Sequence, residues 1–251
     1  MNKASVIIPY FKKKKFFKRT IESILNQTYQ NFEVLIIYDD EDRRDLNFIK
    51  KLIKKDKRFK LIINKINLGA GELKNKGIKK AKGKYICFID ADDIWNKNKL
   101  KLQINFMKKK NISFSHSNYE IIDKDNKVIG IRIAEDYNNF LKLSKSCNIG
   151  LSSVIFEKKI LKNKLKFPNI KTKEDFVLWL RILKDGTSIF AFKKRLVKWR
   201  KSKNSLSSSS FQKIRDGFKV YNHYLNYNFL KSSYYLLILS FNYIKKSFLN
   251  S

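Results

Sequence analysis

Residues 84–95 read KYICFIDADDIW. Residues 85–89 are apolar, and three carboxylates, Asp90, Asp92 and Asp93, follow within four positions. An apolar strand that ends abruptly in acids is costly unless the acids stand at a mouth where a cation meets them. In an open parallel α/β sheet that mouth is the carboxyl edge of the strands, where ligands bind. Asp-x-Asp on an extended chain puts two carboxylates on one side, about 6–7 Å apart. That spacing suits a hard divalent cation together with a ribose or a phosphate, because Mg²⁺ and Mn²⁺ prefer oxygen ligands and leave positions open for substrate phosphates. In a chain of formal net charge +34 the acidic cluster is also the local exception.

Upstream, apolar runs and helical spacings alternate. Residues 5–11 read as a strand stopped by Pro9, 16–25 as a helix with apolar residues on one face, and 32–38 as a second strand ending in Asp39-Asp40. A helix over 46–53, a strand over 59–63, a glycine-bearing turn at 67–71 and a helix over 73–81 ended by Gly83 lead back to the strand at 85–89. This alternation predicts an α/β fold, a mostly parallel sheet with helices on both faces. Two of its four strands end in paired acids, which points to one shared site. Downstream the spacing predicts a helix over 96–107, a strand over 112–117, a hairpin within 119–133 turning at 123–126, and a strand over 148–156. A helix over 172–183 opens on Glu174 and Asp175, and a last strand covers 195–200. The Ser-rich stretch 202–210 reads as mobile, and two aromatic, basic helical segments follow at 211–227 and 229–248.

The 251 residues are 43% hydrophobic and 31% charged, the balance of a globular chain. Lysine and arginine total 56 against 22 acids, but only nine are arginine, and lysines occur on nearly every predicted helix. Such dispersion, with abundant Ile, Asn, Phe and Tyr, fits a codon bias. A nucleic-acid patch would be clustered and arginine-bearing, so no nucleic-acid partner is expected. The charge favours anionic substrates and anionic membrane surfaces. Cys87 and Cys147 are expected as buried thiols in a reducing compartment. No signal peptide is expected, since residues 1–4 lead straight into a strand, and the longest apolar run near the end, 234–239, is too short to span a bilayer. The expected location is cytoplasmic, peripheral to the inner face of the cytoplasmic membrane. His116 and His223 lack the spacing of a zinc site.

Six ordered blocks carry a resemblance: SVIIPYF (5–11), SILNQTYQNFEVLIIYDD (23–40), NLGAGELKNKGIKKAKGKYICFIDADDIW (67–95), SHSNYEIID (115–123), KEDFVLWL (173–180) and WRKSKNSLS (199–207). Over residues 4–210 the chain resembles the family 2 glycosyltransferases of the GT-A fold, in particular bacterial enzymes that build capsule, lipopolysaccharide or lipooligosaccharide chains. The resemblance implies a metal-dependent, inverting transfer of a sugar, from a UDP-hexose or UDP-N-acetylhexosamine donor, to a growing surface glycan or glycolipid. It implies that Pro9 and Tyr10 line the base, that Asp39 or Asp40 binds the uracil or ribose, and that Asp90 lies near the ribose with Asp92 on Mn²⁺ or Mg²⁺. It also implies that Asp175 is the catalytic base, and that Arg200 with the Ser-rich loop covers the donor. Lys74 stands where the family often has arginine, and it can meet a phosphate without bidentate geometry. Phe11 stands where the family has asparagine, and Tyr38-Asp39-Asp40-Glu41-Asp42 replaces Asp-Asp-Gly-Ser, which leaves the uridine-contacting acid open by one position.

Domain bounds of 1–205 for the transferase (nucleotide half 1–95, acceptor half 96–205) and 206–251 for a helical extension follow from this reading. Plainer roles compete at each site. Asp90, Asp92 and Asp93 could cap the next helix, Asp39 and Asp40 could be a solvated turn, and Glu174 and Asp175 could serve the helix dipole. Two other functions remain: a sugar-1-phosphate nucleotidyltransferase, which would want a Gly-rich signature after the first strand where Pro9-Tyr10-Phe11 stands, and a basic protein binding nucleic acid or anionic lipid without catalysis. The sugar, the acceptor and the oligomeric state are not written in the sequence.

Overall fold

Every residue of β2 (Phe32–Tyr38) is buried. A strand buried on both faces is the mark of a sheet with helices on each side. The computed structural model describes residues 3–201 and 209–249. In it β1 (Ala4–Tyr10) pairs in parallel with β2, from Ala4 opposite Phe32 to Tyr10 opposite Tyr38. On its other side β1 pairs in parallel with β4 (Tyr85–Phe88), and β3 (Phe59–Ile63) pairs in parallel with β2 on its far side. The order β3-β2-β1-β4 brings four carboxyl ends to one edge. β8 (Val154–Glu157) then lies antiparallel to β4 and to β6 (Phe114–Ile122), so β6 runs with β4. β9 (Phe190–Arg200) pairs in parallel with β6, β5 (Ile94–Trp95) pairs antiparallel with β9, and β7 (Val128–Arg132) folds back on β6.

The period of two along each strand sorts side chains onto two faces. Ile7, Leu35, Ile37, Ile86 and Phe88 join one apolar cluster, with Leu73 of α3 (Ala70–Lys80) and Trp179 of α6 (Glu174–Lys184). Val6, Ile8, Val34, Ile36 and Cys87 join the other. That second cluster is closed by α1 (Lys14–Leu25), α2 (Leu46–Ile53) and α4 (Lys99–Lys110). The expected α/β sheet with helices on both faces is therefore present.

The differences from the sequence reading have local causes. α3 starts at Ala70, three residues early, because Gly69 at φ 81° takes the left-handed turn that no β-carbon favours. The helix expected from 96 starts at Lys99, since β5 pairs with β9 and the Asn96 amide extends that pairing to Leu196 O at 2.9 Å. The strand expected from 148 begins at Val154, after a short 3₁₀ turn Leu151–Ser153. β9 begins five residues before the expected strand because its first half pairs with β6 as well. Cys87 is buried but Cys147 only half so, which corrects the expectation of two buried thiols. The Ser-rich stretch lies outside the described residues over 202–208. The segment 211–227 resolves into α7 (Ser210–Lys219) and a short π-helix Val220–Tyr224, followed by α8 (Phe229–Leu249). A short α5 (Phe140–Lys145) has no counterpart in the sequence reading.

Gly77 lets α3 lie directly on β1, since a β-carbon there would stand 2.4 Å from Ile7 Cγ2. Gly77→Ala is therefore expected to lower stability by about 1–3 kcal/mol, overpacking outweighing alanine's helix preference of up to about 1 kcal/mol. Chemical denaturation checks this; an unchanged or raised midpoint would mean that α3 moves off the sheet freely.

Candidate active site

The acids gather at the common strand edge, but they do different things there. Asp39, just past β2, is buried, and its carboxylate accepts from Asn64 Nδ2 at 2.7 Å, from Leu68 N at 3.0 Å and from Gly69 N at 3.1 Å. It ties the loop after β3 to the sheet edge. Asp40 points the other way, into an open cavity of about 420 Å³ that it shares with Lys12, Lys14, Lys15, Asp42, Arg44 and Asp45. Of the two acids left in contention by the sequence, Asp40 is the one beside free volume. Tyr10 does not line this space. Its ring is wholly buried and stacked on Tyr38 at 5.3 Å, and its hydroxyl donates to Asp45 Oδ2 at 2.7 Å. Burial first, and then Asp45, hold that phenol well above its usual range. Pro9 is half-buried beside it.

Asp90, Asp92 and Asp93 leave the end of β4 in three directions. Asp93 is fully buried, accepting from Ser152 Oγ at 2.6 Å and from Arg200 N at 2.8 Å. Burial, reinforced by Asp90 and Asp92, pushes its carboxyl well above the usual range. It does not cap α4, whose first turn has no side-chain cap. Arg200 closes the loop from the far side. Its Nε donates to Asp92 O at 3.0 Å, and its terminal nitrogens donate to Asp123 O and Asn126 Oδ1, both at 2.6 Å. Its guanidinium lies over Phe16 at 4.4 Å. The expected donor-covering arginine is here engaged by the backbone that shapes the acidic loop, with 2% of its surface exposed.

Asp90 is half-buried, and no side chain among the described residues donates to its carboxylate. Its pKa is raised to about 6, by burial first, with Lys74 opposing and the charges of Asp92, Glu174 and Asp175 adding to the rise. Asp92 Oδ2 meets the Lys13 ammonium at 2.6 Å.

Lys74 joins the two halves of the site. It rises from α3, lies buried against the Phe167 ring, and meets Glu174 Oε1 at 2.5 Å. Burial opposes its charge, but Glu174, Asp175 and Asp90 outweigh that, and its pKa is raised. Gly71 permits the approach of α3 to this side, since a β-carbon there would meet Pro168 O at 2.4 Å. Asp175, in the first turn of α6, accepts from the Phe176 amide at 2.7 Å. Its pKa is raised, by burial first and then by Glu174, with Lys74 and Lys173 opposing. A carboxylate shifted upward toward neutrality is a better base than an exposed one.

Sequence reasoning passed over Lys13, Ser152 and the ion-pair role of Glu174. Lys13 was visible only as one of four successive lysines, and Ser152 lies sixty residues from its partners in the chain. His116 is buried with Nε2 2.8 Å from Glu135 O, its pKa lowered to about 4 by burial, so it is a neutral structural residue. Trp95 is core, donating to Ser152 O at 2.9 Å.

Among the described residues no group of three or more His, Cys, Asp or Glu is arranged to hold a metal. Asp90 and Asp92 nevertheless fit a hard divalent ion in donor type. Asp90 has no side-chain donor among the described residues, and Asp92 already faces a cation, the Lys13 ammonium. Their partners in such a site would be phosphate oxygens and water.

The profile of the family "Glycosyl transferase family 2" matches residues 5–170. The chain is 39% identical to the Escherichia coli UDP-Glc:alpha-D-GlcNAc-diphosphoundecaprenol beta-1,3-glucosyltransferase WfgD, over 96% of this chain and 91% of that protein. It is 28% identical to the putative teichuronic acid biosynthesis glycosyltransferase TuaG of Bacillus subtilis, over 96% of both chains. Among solved structures, S. aureus TarS (1–349) in complex with UDP-GlcNAc superposes with TM-score 0.73 at 21% identity, over 96% of this chain and 71% of that one. The mannosyltransferase PcManGT of Pyrobaculum calidifontis, solved with GDP-Man and Mn²⁺, gives 0.67 at 12% identity, over 93% and 69%. The chain belongs to glycosyl transferase family 2. It is a glycosyltransferase with the GT-A fold, similar to bacterial enzymes of cell-surface polysaccharide synthesis.

The raised Asp90 pKa means that its ionised form is penalised in the folded chain. Its contribution favours folding below the unfolded value near 3.8 and is lost as pH rises through about 6. Asp90→Asn should therefore melt higher than wild type at pH 7.5, with the gap closing as pH falls toward 4. Thermal unfolding across that range tests it, and a variant less stable at pH 7.5 would remove the desolvation argument.

Proposed function

We propose that this transferase moves a hexose, glucose in the first instance, from its UDP donor to a sugar carried on a polyprenyl diphosphate at the cytoplasmic face of the membrane, with inversion to a β-linkage. The donor and the acceptor class follow the activity named for the Escherichia coli relative WfgD, 39% identical over 91% of its length. The observation that carries the reading is Lys74, whose ammonium brings Asp90 at the sheet edge and the Glu174–Asp175 pair of α6 under one electrostatic influence. Donor acids and a candidate base are thereby held together by elements a hundred residues apart.

In this reading Asp40 and the lysines of the adjoining cavity receive the nucleoside, with Pro9 behind it. Asp90 lies at the ribose. Asp92 and Asp90 would hold Mn²⁺ or Mg²⁺, which when bound neutralises charge on the departing nucleoside diphosphate. Lys13 leaves Asp92 for the donor phosphates. Asp175 accepts the proton of the acceptor hydroxyl as that oxygen attacks the anomeric carbon opposite the leaving group. One displacement with one base inverts the centre. Lys74 keeps Glu174 paired, so that the charge next to Asp175 is balanced and its carboxylate can ionise. Arg200 acts by holding the acidic loop against the β6–β7 turn. Residues 1–95 supply the donor side, 96–205 the acceptor side, and 206–251 the helical extension.

Asp175→Asn should reduce transfer by about 10²–10⁴-fold, the usual share of base catalysis, with UDP affinity in the presence of Mn²⁺ within threefold of wild type. Calorimetry with UDP and transfer from radiolabelled UDP-glucose to a synthetic GlcNAc-diphosphate-lipid read the two separately. Parallel loss of binding and turnover would withdraw Asp175 as base. Transfer from GDP-sugars alone would withdraw the donor, and an α-linked product would withdraw inversion.

A further inference from the structure

The two C-terminal helices invert the usual arrangement of a surface helix. On α8 the residues facing the domain are Ser232, Tyr235 and Leu239, all buried. The opposite face carries Leu230, Tyr234, Leu237, Phe241 and Ile244, spaced four, three, four and three residues apart as one helical stripe. Leu230 is 78% exposed, Leu237 70% and Phe241 66%. No charged residue occurs between Lys231 and Lys245. α7 continues the surface with Phe211 and Ile214, both exposed. The helices are fixed to one another by the Phe218 and Phe229 rings at 5.4 Å and by the close pass of Leu236 over Gly217.

These helices are also anchored to the domain. Tyr221 donates to Ser144 O at 2.6 Å, Asn242 Nδ2 donates to Lys145 O at 3.0 Å, and Tyr235 and Leu239 join the larger core cluster. The exposed stripe is thus a fixed face of the folded protein. Its charge is one-signed. From residue 209 onward the chain carries Lys213, Arg215, Lys219, Lys231, Lys245 and Lys246 against a single acid, Asp216. Asp216 is buried and accepts from Thr172 N and Oγ1 at 3.0 and 2.9 Å. No helix among the described residues is long and apolar enough to cross a membrane.

We propose that the outer face of α7 and α8 is a docking surface for an anionic lipid bilayer, on which both helices lie in the plane of the headgroups. An apolar and aromatic stripe flanked by lysines is the pattern of an interfacial helix. A protein partner with an acidic, apolar groove would use fewer of these residues at once, and a second copy of the chain would bring lysine against lysine. The Asp216–Thr172 bonds fasten α7 three residues before Asp175, so docking sets the base-bearing end of α6 relative to the lipid surface. The inference rests on the lipid-linked acceptor only for its purpose; binding itself needs neither donor nor acceptor.

The test is sedimentation of the full chain, without nucleotide, with vesicles of phosphatidylcholine alone or mixed with phosphatidylglycerol. Binding to the mixed vesicles is expected to be at least tenfold tighter and to weaken with salt. Leu237→Glu with Phe241→Glu should lose at least tenfold of that binding while keeping the thermal midpoint and the affinity for UDP. Lys231→Gln with Lys245→Gln should lose part of it and flatten the salt dependence. Equal binding by wild type and the glutamate variant, no binding to either vesicle, or a dimer in sedimentation equilibrium that the glutamate variant abolishes would overturn the proposal. Absence of UDP binding by the wild type would instead count against the proposed UDP donor.

Discussion

The carboxylates at the end of β4 are taken out of water where a parallel sheet converges, and most of the surrounding structure acts to make their charges tolerable. An unpaired buried carboxylate is too costly to keep ionised. Asp93 is satisfied by Ser152 and the Arg200 amide. Asp92 has Lys13 on its side chain and Arg200 on its carbonyl. Asp90 has no side-chain donor among the described residues, and its pKa is raised by burial first and then by the charges of Asp92, Glu174 and Asp175, against Lys74. This graded satisfaction ties together β1, β4, β8 and β9, because each contributes or adjoins one partner.

Lys74 and Arg200 illustrate how a cation can serve a site from behind. Arg200 is bonded to the acidic loop and to the β6–β7 turn at once, so it sets the loop's shape through the backbone. Lys74 balances Glu174 and so determines how much negative charge surrounds Asp175. Neither needs to touch a substrate to matter. The dispersed lysines of the remaining surface are a different population from those around Lys12–Lys15, beside a cavity, and on the C-terminal helices, beside an apolar stripe.

Much of the first half was legible because its strands are short apolar runs bounded by turn residues. β2, β3 and α2 have the bounds their periodicity predicts. The misses arise where a residue's partner is remote. Asn96 reads as the start of a helix, yet its amide bonds Leu196 O of β9 and the helix waits until Lys99. The first half of β9 reads as nothing in particular until it pairs with β6. Tyr10 sits in a motif that implies a nucleotide contact, yet its ring faces the core because it alternates with half-buried Pro9 on β1.

The sequence by itself determined the alternation of strand and helix, the family, and the acids at the strand ends, since these rest on local pattern and on contiguous motifs. It also contained the apolar, basic character of the last forty residues. Tertiary structure alone decided which acid is which. Asp39 and Asp40 are neighbours in the chain, but successive residues at a strand end point to opposite sides, so one ties down a loop and the other faces a cavity. Likewise only packing decided that one face of α8 is core and the other is left in solvent. The helical period offers both faces, and contacts with α5, α7 and the π-helix Val220–Tyr224 choose between them.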